Sequence, residues 1–468
     1  MLKFGTSGLR GLVAEMTDPV CAAWAAAFLT HLARAGRPAA VLVGRDLRPS
    51  SPRIAAACRG AIRDAGFAAI DCGVVPTPAL ALEAARRGVP AIMVTGSHIP
   101  FDRNGLKFYR AGDEITKADE DGIRAAFGGP QAADRAGAET RAEIGSTYVA
   151  RNVEFFGAGA LAGRRLGLWQ HSAAGRDLTR AALERLGAEV VVLGRTDDFV
   201  PIDTEAIAAA DAARITRWVR EFRLDALIST DGDGDRPLVA DERGAVLRGD
   251  ALGTLAGRAL GADAVACPLN ASTALERSGW FARVRRTRIG SPYVVAAIEA
   301  LAAEGARLAV GYEANGGFLL GGTAEGPDGR RLAPLPTRDA LAPICAVLAA
   351  AARAGQPLSA LAAALPRRIT ASDRLADFPE TASGPLLAAL AGDGDARARL
   401  LDGLAPIVEV DTLDGVRMTL ATGDVVHLRA SGNAPELRCY AEAATGAAAH
   451  RLIALVLGRI ASGLSRAA

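Results

Sequence analysis

The sequence predicts an α/β protein of four domains: three similar domains on mixed or parallel sheets, then a C-terminal α+β domain. Three observations carry this prediction. Residues 17–94 repeat one unit, a helix opened by a capping residue and proline and closed by glycine, followed by a short apolar strand. The same grammar returns after residue 147 and again near residue 260, whereas the last hundred residues alternate apolar and polar around an Asp-Gly turn. At 468 residues the chain is also several times longer than a single-core domain. The expected boundaries are 1–146, 147–249, 250–366 and 367–468.

In the first unit, helices run from Asp18-Pro19 to Gly36, Ser51-Pro52 to Gly66 and Thr77-Pro78 to Gly88. Proline costs nothing in a first helical turn, where its missing N–H would lack a partner anyway. AAVLVG, AAIDCGVV and AIMVTG are apolar throughout, as strands covered on both faces of a parallel sheet are. The second unit reads strand RLGLWQ, helix DLTRAALERLG, strand AEVVVLG and strand LDALIST. The third reads DAVACPLN, a helix around Leu275, ARVRRTRIG, the helix SPYVVAAIEALAAEG and the strand RLAVGYEANGG. VEVDTLDGVRMTL and DVVHLRASG then predict an antiparallel sheet, closed by a helix from Thr445 to Gly463. Each α/β unit delivers an apolar strand into a glycine-containing polar loop, which is where open α/β sheets bind ligands.

Half the residues are hydrophobic, 23% are charged and the formal net charge is +2, so no electrostatic case for nucleic acid or a membrane surface exists. The six cysteines are scattered without a CxxC pair, which predicts buried thiols in a reducing compartment. The opening MLKFGTSGLRG lacks an apolar core, and the most apolar stretches, such as Ile344 to Ala352, fall short of the roughly 18 to 20 residues a membrane span needs. The expectation is a cytoplasmic protein.

Chemistry concentrates in a few loops. In STDGDGDR, Ser229 to Arg236, the aspartates Asp231, Asp233 and Asp235 alternate with glycine. In an extended segment they would face one side and converge on a hard cation. An EF-hand calcium loop would also use these spacings with Glu242 at its twelfth position, but it needs glycine where Arg236 stands, and strands flank the stretch. Magnesium, with a position left for a phosphate oxygen, fits better.

VTGSHIPFDRNGLKF, Val94 to Phe108, carries Ser97 and His98. Thr95 and Ile99 stand where a hydrolase elbow needs glycine, and neighbouring side chains of an extended loop point apart. Alone, Ser97 could equally cap a turn. Lys107 adds weight, because only three of the 54 basic residues are lysines, and a lysine can move a proton where arginine cannot. Asn104-Gly105 reads as a tight turn that would fold this lysine over Ser97. Arg429, Ser431, Gly432 and Asn433 of RASGN, with Arg438, could cradle a phosphate, though a solvated hairpin turn explains them as well. Glu313 and Asn315 of VGYEANGG offer groups for sugar hydroxyls.

FGTSGLRG, TGSHIP, NGLKF, DGDGDR, RTRIGSPYV, GYEANGG and RASGNAPELR, in this order, resemble the successive signatures of the α-D-phosphohexomutase superfamily, in its phosphomannomutase/phosphoglucomutase branch. The resemblance covers essentially the whole chain. It implies four domains around a central cleft, with Ser97 as a phosphoserine. It also implies one Mg²⁺ per chain, held by Asp231, Asp233, Asp235 and the Ser97 phosphoryl group. Arg236 and His98 would stand beside them, with Arg10 and Lys107 flanking the transferring group and Lys107 as proton shuttle. Glu313, Asn315 and Arg288 would bind the sugar phosphate from the third domain, and the RASGN loop with Arg438 from the fourth.

The implied reaction interconverts hexose 6-phosphate and hexose 1-phosphate through a hexose 1,6-bisphosphate. Mannose is the expected sugar. Glucose or dual specificity is the alternative; glucosamine is disfavoured, because that branch usually opens GTDGIRG and carries Glu-Gln-Ser-Gly-His. Other classes are a Mg-dependent sugar phosphatase and a non-enzymatic sugar-phosphate sensor. The expected partner is a small phosphosugar, for a monomer or homodimer with no nucleic acid or membrane. Three departures stand out: Ile99 replaces the usual asparagine after Ser-His, Gly317 cannot supply the imidazole that some relatives use there, and Arg288 stands where several have a lysine.

Overall fold

A computed structural model describes residues 2–464 apart from 6–7, 35, 37, 112, 129–135 and 432–434. Its first three sheets share one topology. In the first unit the four repeating strands are Ala40–Arg45, Ala68–Val74, Ala91–Val94 and Arg103–Tyr109. In the second they are Arg165–Trp169, Glu189–Leu193, Ala226–Thr230 and Pro237–Ala240, and in the third Ala264–Pro268, Arg283–Thr287, Ala309–Tyr312 and Phe318–Leu320. Each time the spatial order is fourth, third, first, second. The first three strands are mutually parallel and the fourth returns antiparallel to the third. The parallel steps are bridged by helices such as Ser51–Asp64 and Thr77–Arg87, each with proline in its first turn. The last return is a hairpin.

Three of the loops singled out in the sequence are therefore the same feature, the hairpin tip between third and fourth strands. Ser97 lies on the first tip, the aspartates on the second and Glu313 to Gly317 on the third. The C-terminal sheet is wholly antiparallel, and its hairpin between Val425–Ala430 and Leu437–Ala443 carries Ser431. Helix Gly446–Leu464 closes the chain.

One local expectation fails. Asn104-Gly105 is not a turn but lies inside the strand Arg103–Tyr109, opposite Gly11 and Arg10. The pair serves close packing. Asn104 Nδ2 donates to the hydroxyls of Ser50 (2.8 Å) and Ser51 (3.0 Å), and a Cβ at Gly105 would meet Leu9 O at 2.5 Å. Residues 97–102 reverse the chain instead, so Lys107 reaches the site by strand register, opposite Met93.

One apolar core runs through the second and third units, joining Leu168 and Ile228 to Val265, Val310 and the helix Leu341–Arg353. Tyr148 Oη donates to Asp339 across this junction at 2.6 Å. The fourth unit has a core of its own, around Met418, Leu428 and Val456. Among the described residues no helix is long and apolar enough to cross a membrane, and all six cysteines are free and buried.

Candidate active site

The Ser97 tip is built around a buried arginine. Arg48 donates to four carbonyls of the reversal, Ser97 (2.8 Å), Ile99 (2.5 Å), Pro100 (2.6 Å) and Arg103 (2.9 Å). Its Nε pairs with Asp46 at 3.2 Å, and the Phe199 ring covers it at 4.1 Å. Asp46 in turn accepts from the Thr95 hydroxyl (2.7 Å), whose oxygen accepts the Ser97 amide (2.8 Å). Burial pushes the Asp46 carboxyl up against this pairing. Such a frame holds Ser97 at φ 56°, a left-handed conformation that costs a non-glycine residue about 1–2 kcal/mol. Ser97 is 1% exposed, and its Oγ donates to Asp231 at 2.6 Å.

The left-handed backbone also corrects the expectation that Ser97 and His98 point apart: Oγ and Nδ1 lie 3.3 Å from each other. They do not form a hydrolase dyad. Arg236 donates to the same Nδ1 at 2.8 Å, so that nitrogen is already an acceptor. Burial and Arg236 push the imidazole down to about 3, which leaves His98 neutral.

The acidic tip is curled rather than extended, contrary to the alternation argument. The Asp231 amide donates to Arg236 O (3.1 Å), the Gly234 amide to Asp231 O (3.2 Å), and Gly234 takes φ 71°. Curling still gathers the three carboxylates, with a ligand atom of each within 4.8 Å of the others. Gly232 permits the approach of the two tips, since a Cβ there would meet Ser97 O at 2.8 Å. Glu242, which an EF-hand would use, instead accepts the Ser359 amide at 3.1 Å.

Lys107 Nζ lies between Asp233 Oδ2 (2.6 Å) and Asp235 Oδ2 (2.7 Å), and Thr77 Oγ1 donates to Asp233 at 2.5 Å. Asp233 Oδ1 and Asp235 Oδ1 are buried without a hydrogen-bond donor. Orphaned carboxylate oxygens in an all-oxygen cluster suit a hard divalent cation such as Mg²⁺. Burial and the neighbouring Asp233 and Asp235 raise Asp231 well above the carboxylate range. Asp235 is held below that range because Arg338, Lys107 and Arg236 outweigh burial. Burial would lower the Lys107 ammonium, but Asp233 and Asp235 override it and raise it. Lys107 is thus held protonated.

Arg10, on the strand Gly8–Leu12, makes no side-chain hydrogen bond or ion pair among the described residues. Burial, then Arg236 and Arg338, push it down to about 10, where it keeps its charge and lacks an anion. On the third tip, Glu313 pairs with Arg338 at 3.3 Å, while Asn315 accepts the Gly317 amide at 2.9 Å and the Thr204 hydroxyl at its carbonyl. Arg338, 2% exposed, also pairs with Asp235 at 3.0 Å and so ties the third tip to the acidic tip. A Cβ at Gly317 would meet Arg338 Cδ at 2.4 Å. The stem of this arginine crowds the place a Cβ would take.

Arg288 and Arg429 meet one turn of the fourth unit. Arg288 Nε donates to Leu413 O at 3.1 Å, and Arg429 Nε pairs with Asp414 at 2.8 Å. The Ser431 amide donates to Glu436 O, and Arg438 stands 3.6 Å from the Glu436 carboxylate. Gly432 and Asn433 lie outside the described residues. Asp46, Arg48, Thr77 and Arg338 escaped the sequence reading.

Four domain signatures match the chain, all described as phosphoglucomutase/phosphomannomutase: alpha/beta/alpha domain I over residues 1–133, domain II over 146–244, domain III over 248–369, and the C-terminal domain over 378–458. A phosphomannomutase of Salmonella muenchen is 45% identical, with 100% of this chain and 97% of that one aligned. Another from Sinorhizobium fredii is 43% identical over 97% of each. The fold is shared with a solved phosphoglucomutase/phosphomannomutase family protein from Burkholderia thailandensis, at a TM-score of 0.78 and 23% identity over 97% of this chain and 96% of that one. With its four units, its serine tip and its acidic tip, the chain belongs to the phosphoglucomutase/phosphomannomutase family.

Proposed function

We propose that the chain is a phosphohexomutase that converts mannose 6-phosphate to mannose 1-phosphate. The observation that carries this reading is the Ser97 hydroxyl, 2.6 Å from Asp231 in a carboxylate cluster with two undonated oxygens. Phosphoryl transfer asks a protein mainly to align groups and neutralise charge. Asp231, Asp233 and Asp235 would hold Mg²⁺ together with the phosphoryl group on Ser97, and the ion would neutralise charge developing on the phosphoryl oxygens. Phospho-Ser97 gives its phosphoryl group to the free hydroxyl of the bound hexose phosphate, breaking the Oγ–P bond and forming the second ester of a 1,6-bisphosphate. After reorientation, the other phosphate returns to Ser97. Arg10 brings a positive charge that no side chain among the described residues pairs, and Lys107, as proton shuttle, gives a proton to the departing Ser97 oxygen and regains one from the attacking hydroxyl.

Glu313 and Asn315 face the sugar in this reading, and Arg288, Arg429, Ser431, Asn433 and Arg438 take the distal phosphate. Mannose is favoured because two relatives aligned nearly end to end at 45% and 43% identity are phosphomannomutases, whereas a probable phosphoglucosamine mutase aligned over the same span is only 28% identical. Burial of Ser97 opposes the phosphatase alternative, since water has little access to the nucleophile. Six free, buried thiols support a cytoplasmic setting. Intact-mass measurement should find one phosphoryl group that Ser97→Ala removes, and competition among mannose, glucose and glucosamine phosphates should favour mannose. Release of inorganic phosphate without an isomerised sugar would overturn the reading.

A further inference from the structure

The turn between strands Ile407–Asp411 and Val416–Leu420 of the fourth unit has a use that packing does not account for. Leu413 at its tip is 41% exposed, so no apolar burial holds the turn in place. Its polar groups do. The Asp414 carboxylate pairs through Oδ2 with Arg429 Nε at 2.8 Å and accepts the Ile289 amide at 2.9 Å. The Asp414 carbonyl accepts His427 Nε2 at 2.6 Å, and the carbonyl of Leu413 accepts Arg288 Nε at 3.1 Å. Gly415, at φ 81°, presses the turn onto the next strand, where a Cβ would meet Leu428 O at 2.1 Å.

Two adjacent residues thus hold two arginines that belong to different units. The fourth unit has a separate core, so hydrogen bonds at this seam carry weight that apolar packing carries elsewhere. Among the described residues Arg429 makes no side-chain hydrogen bond or ion pair except with Asp414. An arginine anchored through Nε keeps its terminal nitrogens in a fixed fork, suited to a planar two-point grip on phosphate.

On the mutase reading given above, we propose that Asp414 is a positioning residue. It aims Arg429 at the distal phosphate and, through the Ile289 amide, latches the fourth unit to the loop that carries Arg288. Phosphate binding and docking of the two units then favour each other, as linkage requires of coupled sites.

Binding of mannose 6-phosphate to full-length Ser97→Ala protein, which cannot turn over, tests this by calorimetry. With Asp414 in place the sugar phosphate binds. Asp414→Ala should weaken it roughly tenfold, the scale of losing one close, partly buried ion pair. Asp414→Asn keeps an acceptor for the Ile289 amide and should still lose most of that affinity. The double variant Asp414→Asn/Arg429→Ala should bind no more weakly than Arg429→Ala alone, because the asparagine keeps the Ile289 acceptor and the remaining effect runs through one guanidinium. Losses that add, or Asp414→Asn binding like the parent, overturn the positioning role. A parent that binds no hexose phosphate overturns the mutase reading and the latch with it.

Discussion

Replacing Arg48 with methionine keeps much of the side-chain volume and removes every donor, so it isolates the polar frame under Ser97 from simple packing. Four loop carbonyls lose a charged donor, and the Asp46 carboxylate loses its counter-ion inside the protein. Hydrogen bonds to charged groups contribute about 1.5–3 kcal/mol each, and stranding a buried charge costs roughly 3–5 kcal/mol. These do not add, because the loop can relax toward water. The expected loss is still at least about 4 kcal/mol, a large share of the roughly 5–15 kcal/mol that holds a domain folded. Urea unfolding followed by fluorescence in a background that keeps Trp24 as the sole tryptophan of the four reports on the first unit, where that ring packs against Phe4 and Phe127. Arg48→Lys, which keeps the charge but not the fork, should fall between parent and methionine variant. Phosphoserine content, read by intact mass, should drop with stability. An Arg48→Met protein with an unchanged midpoint and normal Ser97 phosphorylation would refute the view that this arginine holds the nucleophile.

Gly317→His, which restores the imidazole some relatives carry, should lower activity instead of raising it, because Arg338 Cδ would lie 2.4 Å from the new Cβ; gain of kcat would show that the stem yields. Acid should destabilise the fold through His171 and His427. Burial holds both at about 4, against the opposing backbone bonds to Thr230 and Asp414; Arg176 also lowers the first, and Asp414, Arg417 and Arg429 face the second. Because both are neutral when folded and protonated when unfolded below about 6.5, their stabilisation is complete above that pH and is lost as pH falls toward 4. The loss is at most about 3 kcal/mol each. Urea midpoints across pH 4 to 7 should show this slope, reduced in His171→Gln and in His427→Gln, and an unaltered slope in both variants would sink the assignment.

Legibility in the sequence followed how local each feature is. Asp231, Asp233 and Asp235 stand within five residues, so their convergence could be read even though the extended geometry was wrong. Lys107 stood out by scarcity. Arg48 and Arg338 had no such signal in an arginine-rich chain, and their roles depend on partners 49 to 55 and 103 residues away. Asn104-Gly105 misled because the dipeptide serves tight turns and close backbone approach equally well, and only the strand at residues 8–12 decides between them. The shared hairpin return escaped notice because strands such as RNGLKFY and PLVA lack a clean two-residue alternation.

On the proposed mutase reading, three sheets with one wiring diagram present three different chemistries at the same joint, which makes the enzyme divisible in a way a single contiguous site is not. A lesion at one joint should silence one duty, whether accepting the phosphoryl group, gathering the cation or choosing the sugar, while the other two remain measurable on an intact scaffold. The joint also marks where new specificity can be written with least disturbance. Exchanging residues between Tyr312 and Phe318 while keeping Glu313, the partner of Arg338, alters a tip whose flanking strands already fix its direction.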